Sequence, residues 1–381
     1  MSSQSQLRIA LIPGDGIGPE IMAVAEQALR TLFPDGTLEM VCAEAGWGVF
    51  ERTGKALPSS TVELLRSCDG ALFGAVSSPS RPVKGYRSPI VALRRELDLF
   101  ANLRPLVSAP VPSARPNIDI LLVRENTEGL YVGHERLDDE GLPTEVATAE
   151  RRISRVACER IADAACRAAV ERRAQGRPGR LTIAHKANVL RLSDGLFRRA
   201  CLEVAERFPE LDVEEQLVDS LLYRLILEPE RYDVIVAPNL YGDLLADAGA
   251  ALVGGLGLAP SANTGHRDGR PWVLAEPVHG SAPDIAGLGI ANPVAMLSAT
   301  VLLLDGLGRV TEASRLKQAV DEVLRSGPWT SDLGGTATTA EVGTMILRRL
   351  AGETRSVAQT RADSAEEESS QETTPHVAGL V

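Results

Sequence analysis

The chain has 381 residues, a formal net charge of −11, 44% hydrophobic and 24% charged side chains, which is the material for about two to three domains with sizeable cores. The acidic balance argues against a broad grip on nucleic acid or an anionic membrane. Aromatic residues, at 4%, offer no base-stacking platform, and no apolar run is long enough for a transmembrane helix.

LRIALIP (7–13) is a short apolar run closed by Pro and Gly, the pattern of a buried strand. PEIMAVAEQALRTLF (19–33) has helical spacing with Pro near its start. IPGDGIGPE (12–20) joins them, and its three glycines permit tight turns and close ligand approach. The G-x-G-x-G spacing is not that of a dinucleotide-binding turn, and no P-loop Lys follows. Alone, the loop reads equally as a tight turn or as a ligand loop. GALFGAV (70–76), DILLVRE (119–125), LTIAHKA (181–187) and DVIVAPN (233–239) are further strands, and helical patterns cover 154–173, 195–208, 244–254 and 292–308. This alternation predicts an α/β architecture with a largely parallel sheet. The Pro/Ser-rich stretch 104–117 and the Gly-rich stretch 254–265 read as crossings between two domains. They predict a discontinuous domain of 1–105 and 255–350 and an inserted one of 106–254. Residues 353–381 carry six acids against two bases and few large apolar side chains, so a disordered acidic tail is expected.

Five scattered cysteines, an odd number without zinc-ligand spacing, read as free thiols in a reducing compartment. With neither a secretory nor a transit signature after MSSQSQ, a cytoplasmic location is expected. Only four of the 40 cationic residues are Lys (Lys55, Lys84, Lys186 and Lys317), so a Lys in an apolar strand stands out.

Several segments carry candidate chemistry. In NLYGDLLAD (239–247), Asp243 and Asp247 lie four apart and share a helix face. Carboxylates that close repel unless a cation sits between them, and a hard divalent metal takes such ligands; the alternative is an N-cap and a solvated acid. Lys186 closes an apolar strand, where desolvation would make its neutral amine accessible as a base; a solvated strand-end Lys is the alternative, and the adjacent His185 reads as structural. Arg94, Arg104 and Arg124, with Tyr131 nearby, could clamp a small polycarboxylate, although arginines are common in this chain. Asp284, in EPVHGSAPDIAGLGIANP (276–293), could accept from a ribose hydroxyl, or the segment is a proline-rich turn.

Together, IPGDGIGPE, VRENTEGLYVG, AHKANVL, NLYGDLLAD and EPVHGSAPDIAG, in this order, resemble the β-decarboxylating dehydrogenases: isocitrate, isopropylmalate, homoisocitrate and tartrate dehydrogenases. The resemblance implies the isocitrate/isopropylmalate dehydrogenase-like fold, two α/β domains around a cleft and not a Rossmann fold. It implies a homodimer or tetramer whose sites contain residues of two chains. It further implies that Arg94, Arg104 and Arg124 hold the malate carboxylates, and that Asp243 and Asp247, with Asp219 of the other chain, bind Mg²⁺ or Mn²⁺. Tyr131 and Lys186, the latter from the partner chain, match the acid–base pair. Asn188 matches a position near the nicotinamide, and Glu276, His279, Gly280, Asp284, Ile285 and Asn292 match the cofactor loop. NADP-using relatives carry Lys and Tyr at the positions of Asp284 and Ile285, so NAD is expected.

The substrate tail is contacted in this family just before Arg94. Isopropylmalate enzymes have a Glu and a Leu-Leu pair there, whereas this chain has Arg87, Ser88, Ile90 and Val91. A cation and a hydroxyl suit a carboxylated tail. One branch of isocitrate enzymes shares Ser88 but has Asn in place of Ile90, and less polarity suits a longer methylene chain. Some prokaryotic homoisocitrate enzymes carry Arg at the position of Val91. Ser78 matches a further substrate contact. GYRSPIVALRRE looks most like fungal-type homoisocitrate dehydrogenases, so the expected reaction is NAD-dependent oxidative decarboxylation of homoisocitrate to 2-oxoadipate, in lysine biosynthesis. The alternatives are an isocitrate, isopropylmalate or tartrate/malate-type enzyme, a relative acting on a homoisocitrate analogue, or a non-catalytic regulatory subunit. The last sits poorly with the presence of Tyr131, Lys186, Asp219, Asp243 and Asp247.

Overall fold

The computed structural model describes residues 6–81, 83–138 and 145–352; the acidic tail expected at 353–381 lies outside them. In chain order the elements are β1 (Leu7–Gly14), α1 (Gly18–Leu32), β2 (Leu38–Cys42), α2 (Trp47–Thr53), α3 (Ser59–Arg66), β3 (Gly70–Ala75), α4 (Pro89–Glu96), β4 (Ala101–Val107) and β5 (Asp119–Glu125). There follow β6 (Glu135–Asp138), β7 (Val146–Ala149), α5 (Arg155–Ala174), β8 (Arg180–His185), α6 (Ser193–Ala205), β9 (Asp212–Leu217), α7 (Val218–Leu227), β10 (Val234–Ala237) and α8 (Asn239–Val253). The last are β11 (Pro260–Arg267), β12 (Arg270–Pro277), α9 (Val294–Gly306), α10 (Val310–Ser326) and α11 (Thr339–Leu350).

One 10-stranded sheet runs β2-β1-β3-β12-β11-β4-β5-β10-β8-β9. Four strands at each end are mutually parallel, and the two parallel groups run in opposite directions. They meet at a seam in which β11 is antiparallel to both β12 and β4, and β4 is antiparallel to β5. That order differs from a Rossmann sheet. Helices flank the parallel groups because their strands, such as β3 and β10, are buried along their whole length and need cover on both faces. Buried clusters divide along the seam. Two are built from residues up to Leu99 and beyond Leu258, with Val111 added, and two from Phe100 to Val253. The result is two α/β domains around a cleft.

Local sequence explains the ends that matter. Pro19 starts α1, Ser154 caps α5 by accepting from the Ala157 amide, and Thr338 with Glu341 forms a capping box on α11. In the first loop Gly16 has φ +58°, and a Cβ there would lie 2.0 Å from the Ser281 carbonyl oxygen. The same carbonyl accepts the Ile17 amide at 2.9 Å. Only glycine lets the β1–α1 loop press against residues 276–293 this closely. That segment follows β12 without regular structure as far as α9, as its Gly/Pro content predicts.

Two strand expectations shift. The stretch 104–117, read as a crossing, begins inside β4, and 254–265 runs into β11. The helix expected from 244 starts at Asn239, directly after Pro238, so Asp243 lies inside it and is no N-cap.

Candidate active site

Four elements bring arginines and acids together at the seam. Arg94 comes from α4, Arg104 from β4, Arg124 from β5, and all three are at least 94% covered. Buried guanidiniums are costly unless fully bonded. Arg94 donates to Asn263 Oδ1 and Glu276 Oε1, both at 2.9 Å. Arg104 donates Nε to Asn102 Oδ1 (2.7 Å) and lies 3.0 Å from Asp243 Oδ1. Arg124 donates to Asn239 Oδ1 (2.7 and 3.1 Å) and to Asp243 Oδ1 at 2.5 Å. Gly242, on the facing turn of α8, makes room for it, because a Cβ there would lie 2.7 Å from Arg124 Cγ. Burial, then Arg104 and Arg94, push the Arg124 guanidinium down to about 10, and burial also lowers that of Arg104. Three carboxylates, Glu276, Asp243 and Asp247, face the three guanidiniums. Arg104 Nη1 is buried with no hydrogen-bond partner, a donor waiting for an anionic ligand.

Tyr131 Oη donates to Asp243 Oδ2 at 2.5 Å, and its ring lies 5.2 Å from the Arg124 guanidinium. Burial, then Asp243, raises the phenol above its usual range, so it stays protonated at neutral pH. Asp243 itself sits below the usual aspartate value: burial alone would raise it, and Arg124, Arg104 and Tyr131 outweigh that. Asp247, one turn along α8, has a 60% exposed side chain, 3.9 Å from Arg104 Nη1, and is raised by burial and by Asp243.

Ser78, Ser88, Arg94, Arg104, Arg124, Tyr131, Asp243, Glu276, His279 and Gly280 line one cavity of about 340 Å³, together with Ile90 and Val91. Arg87 does not. It lines a second cleft of about 380 Å³ on the other side of α4, with Lys55, Glu63 and Arg66. Arg87, expected at a substrate tail, and Ser88 are neighbours in sequence, yet here they line different clefts.

Lys186 and Asp219 are not among the cavity's lining residues. They pair with each other, Lys186 Nζ to Asp219 Oδ1 at 2.5 Å, and Lys186 holds the Asp219 carboxyl below its usual value. Asn188 is exposed two residues beyond Lys186. His185 is buried; its Nδ1 accepts the Ala187 amide (3.2 Å), and burial keeps it neutral, the structural role expected of it. On the loop after β12, Asp284 is exposed, Ile285 packs on the larger core, and Asn292 is buried with Nδ2 on Asp332 Oδ2 (3.0 Å).

Sequence reasoning missed the buried amides. Asn263 Oδ1 accepts from Arg94, Asn102 (3.0 Å) and Asn126 (2.8 Å), so one side chain fixes the seam beneath the arginines. An Asn amid small residues in a strand-like run was the available signal.

The donor sets fit the groups expected. Asp243 and Asp247 offer hard carboxylate oxygens suited to Mg²⁺ or Mn²⁺. Among the described residues no group of three potential metal-ligating side chains occurs, and Mg²⁺ commonly completes its shell with water and ligand oxygens. For a nucleotide, the His279 side chain is telling. Nδ1 donates to the Gly280 carbonyl (2.9 Å) and burial keeps the ring neutral, which leaves Nε2 as a buried acceptor without a partner. A hydroxyl or amino group of a cofactor would satisfy it.

A family model described as isocitrate/isopropylmalate dehydrogenase matches residues 8–346. The chain is 52% identical over 347 residues to the isocitrate/homoisocitrate dehydrogenase of Thermus thermophilus, covering 90% of this chain and 98% of that one. It is 46% identical over 345 residues to the 3-isopropylmalate/3-methylmalate dehydrogenase of Methanocaldococcus jannaschii, with 90% and 98% covered. The crystal structure of isocitrate dehydrogenase from Methylococcus capsulatus is similar with a TM-score of 0.84 at 36% identity, over 91% of this chain and 99% of that one.

Proposed function

This chain belongs to the isocitrate/isopropylmalate dehydrogenase family, and we propose that within it the chain catalyses NAD-dependent oxidative decarboxylation of homoisocitrate to 2-oxoadipate and CO₂. The family consists of β-decarboxylating oxidoreductases that act on small hydroxy acids with NAD(P) and a divalent metal ion. Among the described residues no helix is long and apolar enough to cross a membrane.

One observation carries the substrate: Ser78 and Ser88 line the arginine cavity together with Ile90 and Val91. Two hydroxyls suit a carboxylated tail, and two aliphatic side chains suit the extra methylene. An isopropyl tail would offer the Ser88 hydroxyl no partner. The Thermus relative's name pairs isocitrate with homoisocitrate, which favours isocitrate as a second, poorer substrate.

In this reading Arg94, Arg104 and Arg124 bind and orient the malate core. Asp243 and Asp247, with Asp219 of the partner subunit, hold Mg²⁺ or Mn²⁺. When bound, that ion polarises the hydroxyl and steadies the negative charge left by CO₂ loss. Lys186 of the partner subunit takes the hydroxyl proton, and Tyr131 returns a proton to carbon. Glu276, His279, Gly280, Asp284, Ile285, Asn292 and the partner's Asn188 cradle the cofactor, and the Asp284 charge would repel a 2′-phosphate.

A homodimer is supported by the exposed Tyr223, Ile226, Leu227 and Leu244 on α7 and α8, next to the metal helix. A division into two lobes, 1–105 with 255–350 and 106–254, draws support from the partition of the buried clusters, which itself falls between Leu99 and Phe100. Five unpaired cysteines support a reducing, cytoplasmic setting. The test is kcat/KM measured side by side for homoisocitrate, isocitrate, isopropylmalate and tartrate with NAD⁺ and Mg²⁺. Homoisocitrate is expected to lead; isopropylmalate leading would overturn the tail assignment.

A further inference from the structure

One fully buried carboxylate plays no part in the chemistry above. Asp194, in the first turn of α6, has no exposed surface. It accepts the Lys186 amide N–H at Oδ2 (2.6 Å), an ion pair from the Arg151 guanidinium at Oδ1, and a hydrogen bond from the Tyr241 hydroxyl. Arg151 also lies 5.0 Å over the Tyr241 ring. A carboxylate this deep is costly, and an apolar core would usually be no less stable. Its location is informative, because the backbone it grips is that of the lysine itself.

The other bonds of this segment point the same way. The Lys186 carbonyl accepts from the Val189 (3.0 Å) and Leu190 (2.9 Å) amides, and the Leu190 carbonyl accepts from the Asp194 amide (3.0 Å). The Ala187 amide is held by His185 Nδ1. The backbone is thus bonded on both sides of Lys186, while the side chain reaches out to Asp219.

We infer that Asp194 is a positioning residue for Lys186, clamping its backbone amide so that the amine is presented in one place. The inference rests on the acid–base reading of Lys186 given above. A charge-assisted bond is shorter and stiffer than a neutral one, which suits a role in placement. A misplacement on the order of 1 Å is enough to cost about 100-fold in rate.

The test uses the full-length enzyme with its best substrate. Asp194→Ala removes the clamp but strands the Arg151 charge, so the decisive variant is Asp194→Ala with Arg151→Met, in which no buried charge is left unpaired. That variant should remain folded by circular dichroism and thermal denaturation. Its kcat should fall about 10- to 100-fold while KM stays within about threefold, since the arginine cavity is untouched. The same pair of changes added to Lys186→Met should alter the residual rate by less than about twofold. Wild-type kcat in the double variant, or an equal fold-loss in the Lys186→Met background, would overturn the inference while leaving Lys186 as the base. Full turnover by Lys186→Met alone would instead overturn the acid–base reading, and this inference with it.

Discussion

Tyr131 Oη and Asp243 Oδ2 are joined by a 2.5 Å hydrogen bond, while Arg124 and Arg104 share the other oxygen of the same carboxylate. Asp243 is therefore anchor to the proposed acid, counter-charge to two buried guanidiniums and candidate metal ligand at once.

Asp243→Asn should act on stability as well as activity. Breaking a buried ion pair costs about 3–5 kcal/mol, and the partial exposure of Asp243 places the loss near the low end, about 3 kcal/mol in urea denaturation with chelator present. The pH dependence has a definite sign. Because the Asp243 pKa is depressed in the fold, its contribution is present above the unfolded value near about 3.9 and is lost as the pH falls through the folded value. The gap between wild type and variant should narrow below about pH 4; a gap that widens there would contradict the ion-pair account.

The two sides of α4 make separable predictions. Arg87→Ala should leave kcat/KM for homoisocitrate within about twofold, because the side chain faces the outer cleft. Ser88→Ala should lower it by about 10-fold, chiefly through KM, as expected for one lost hydrogen bond to a charged tail. Steady-state kinetics on the two variants checks both, and a reversed order would return the tail to Arg87.

Cofactor choice should follow charge at one exposed position. Wild type should prefer NAD⁺, and Asp284→Lys with Ile285→Tyr should shift the NADP⁺/NAD⁺ ratio of kcat/KM upward by at least about 10-fold, the effect of trading repulsion for attraction at a phosphate. An unchanged ratio would show that the loop after β12 does not read the ribose.

Much of this was legible in local sequence. β1, β3, β5 and β10 are apolar runs bounded by breakers, and α5 and α9 fall within two residues of their predicted limits at each end, α5 helped by its Ser154 cap and α9 by a long apolar run that starts after Pro293. The order of the strands was not legible, because the seam of β11 and β4 is written in polar and small residues such as Asn102, Asn263 and Ser261, whose partners lie far away in sequence. Arg87 and Ser88 show that neighbours in sequence need not line the same cleft once the chain turns into α4. Asp194 went unnoticed for a related reason. Its position at the start of α6 reads as an ordinary first-turn acid, and only the folded chain turns it back onto Lys186.

The central claim is that each active site takes Tyr131 and its acids from one chain and Lys186 from another, and subunit complementation tests it most directly. Tyr131→Phe and Lys186→Met should each lose about 100-fold or more of kcat as pure homodimers. Mixed and re-paired at random, half of the dimers should be hybrids with one intact site of two, restoring about a quarter of wild-type activity. Activity that stays at the sum of the two parents would contradict the shared site.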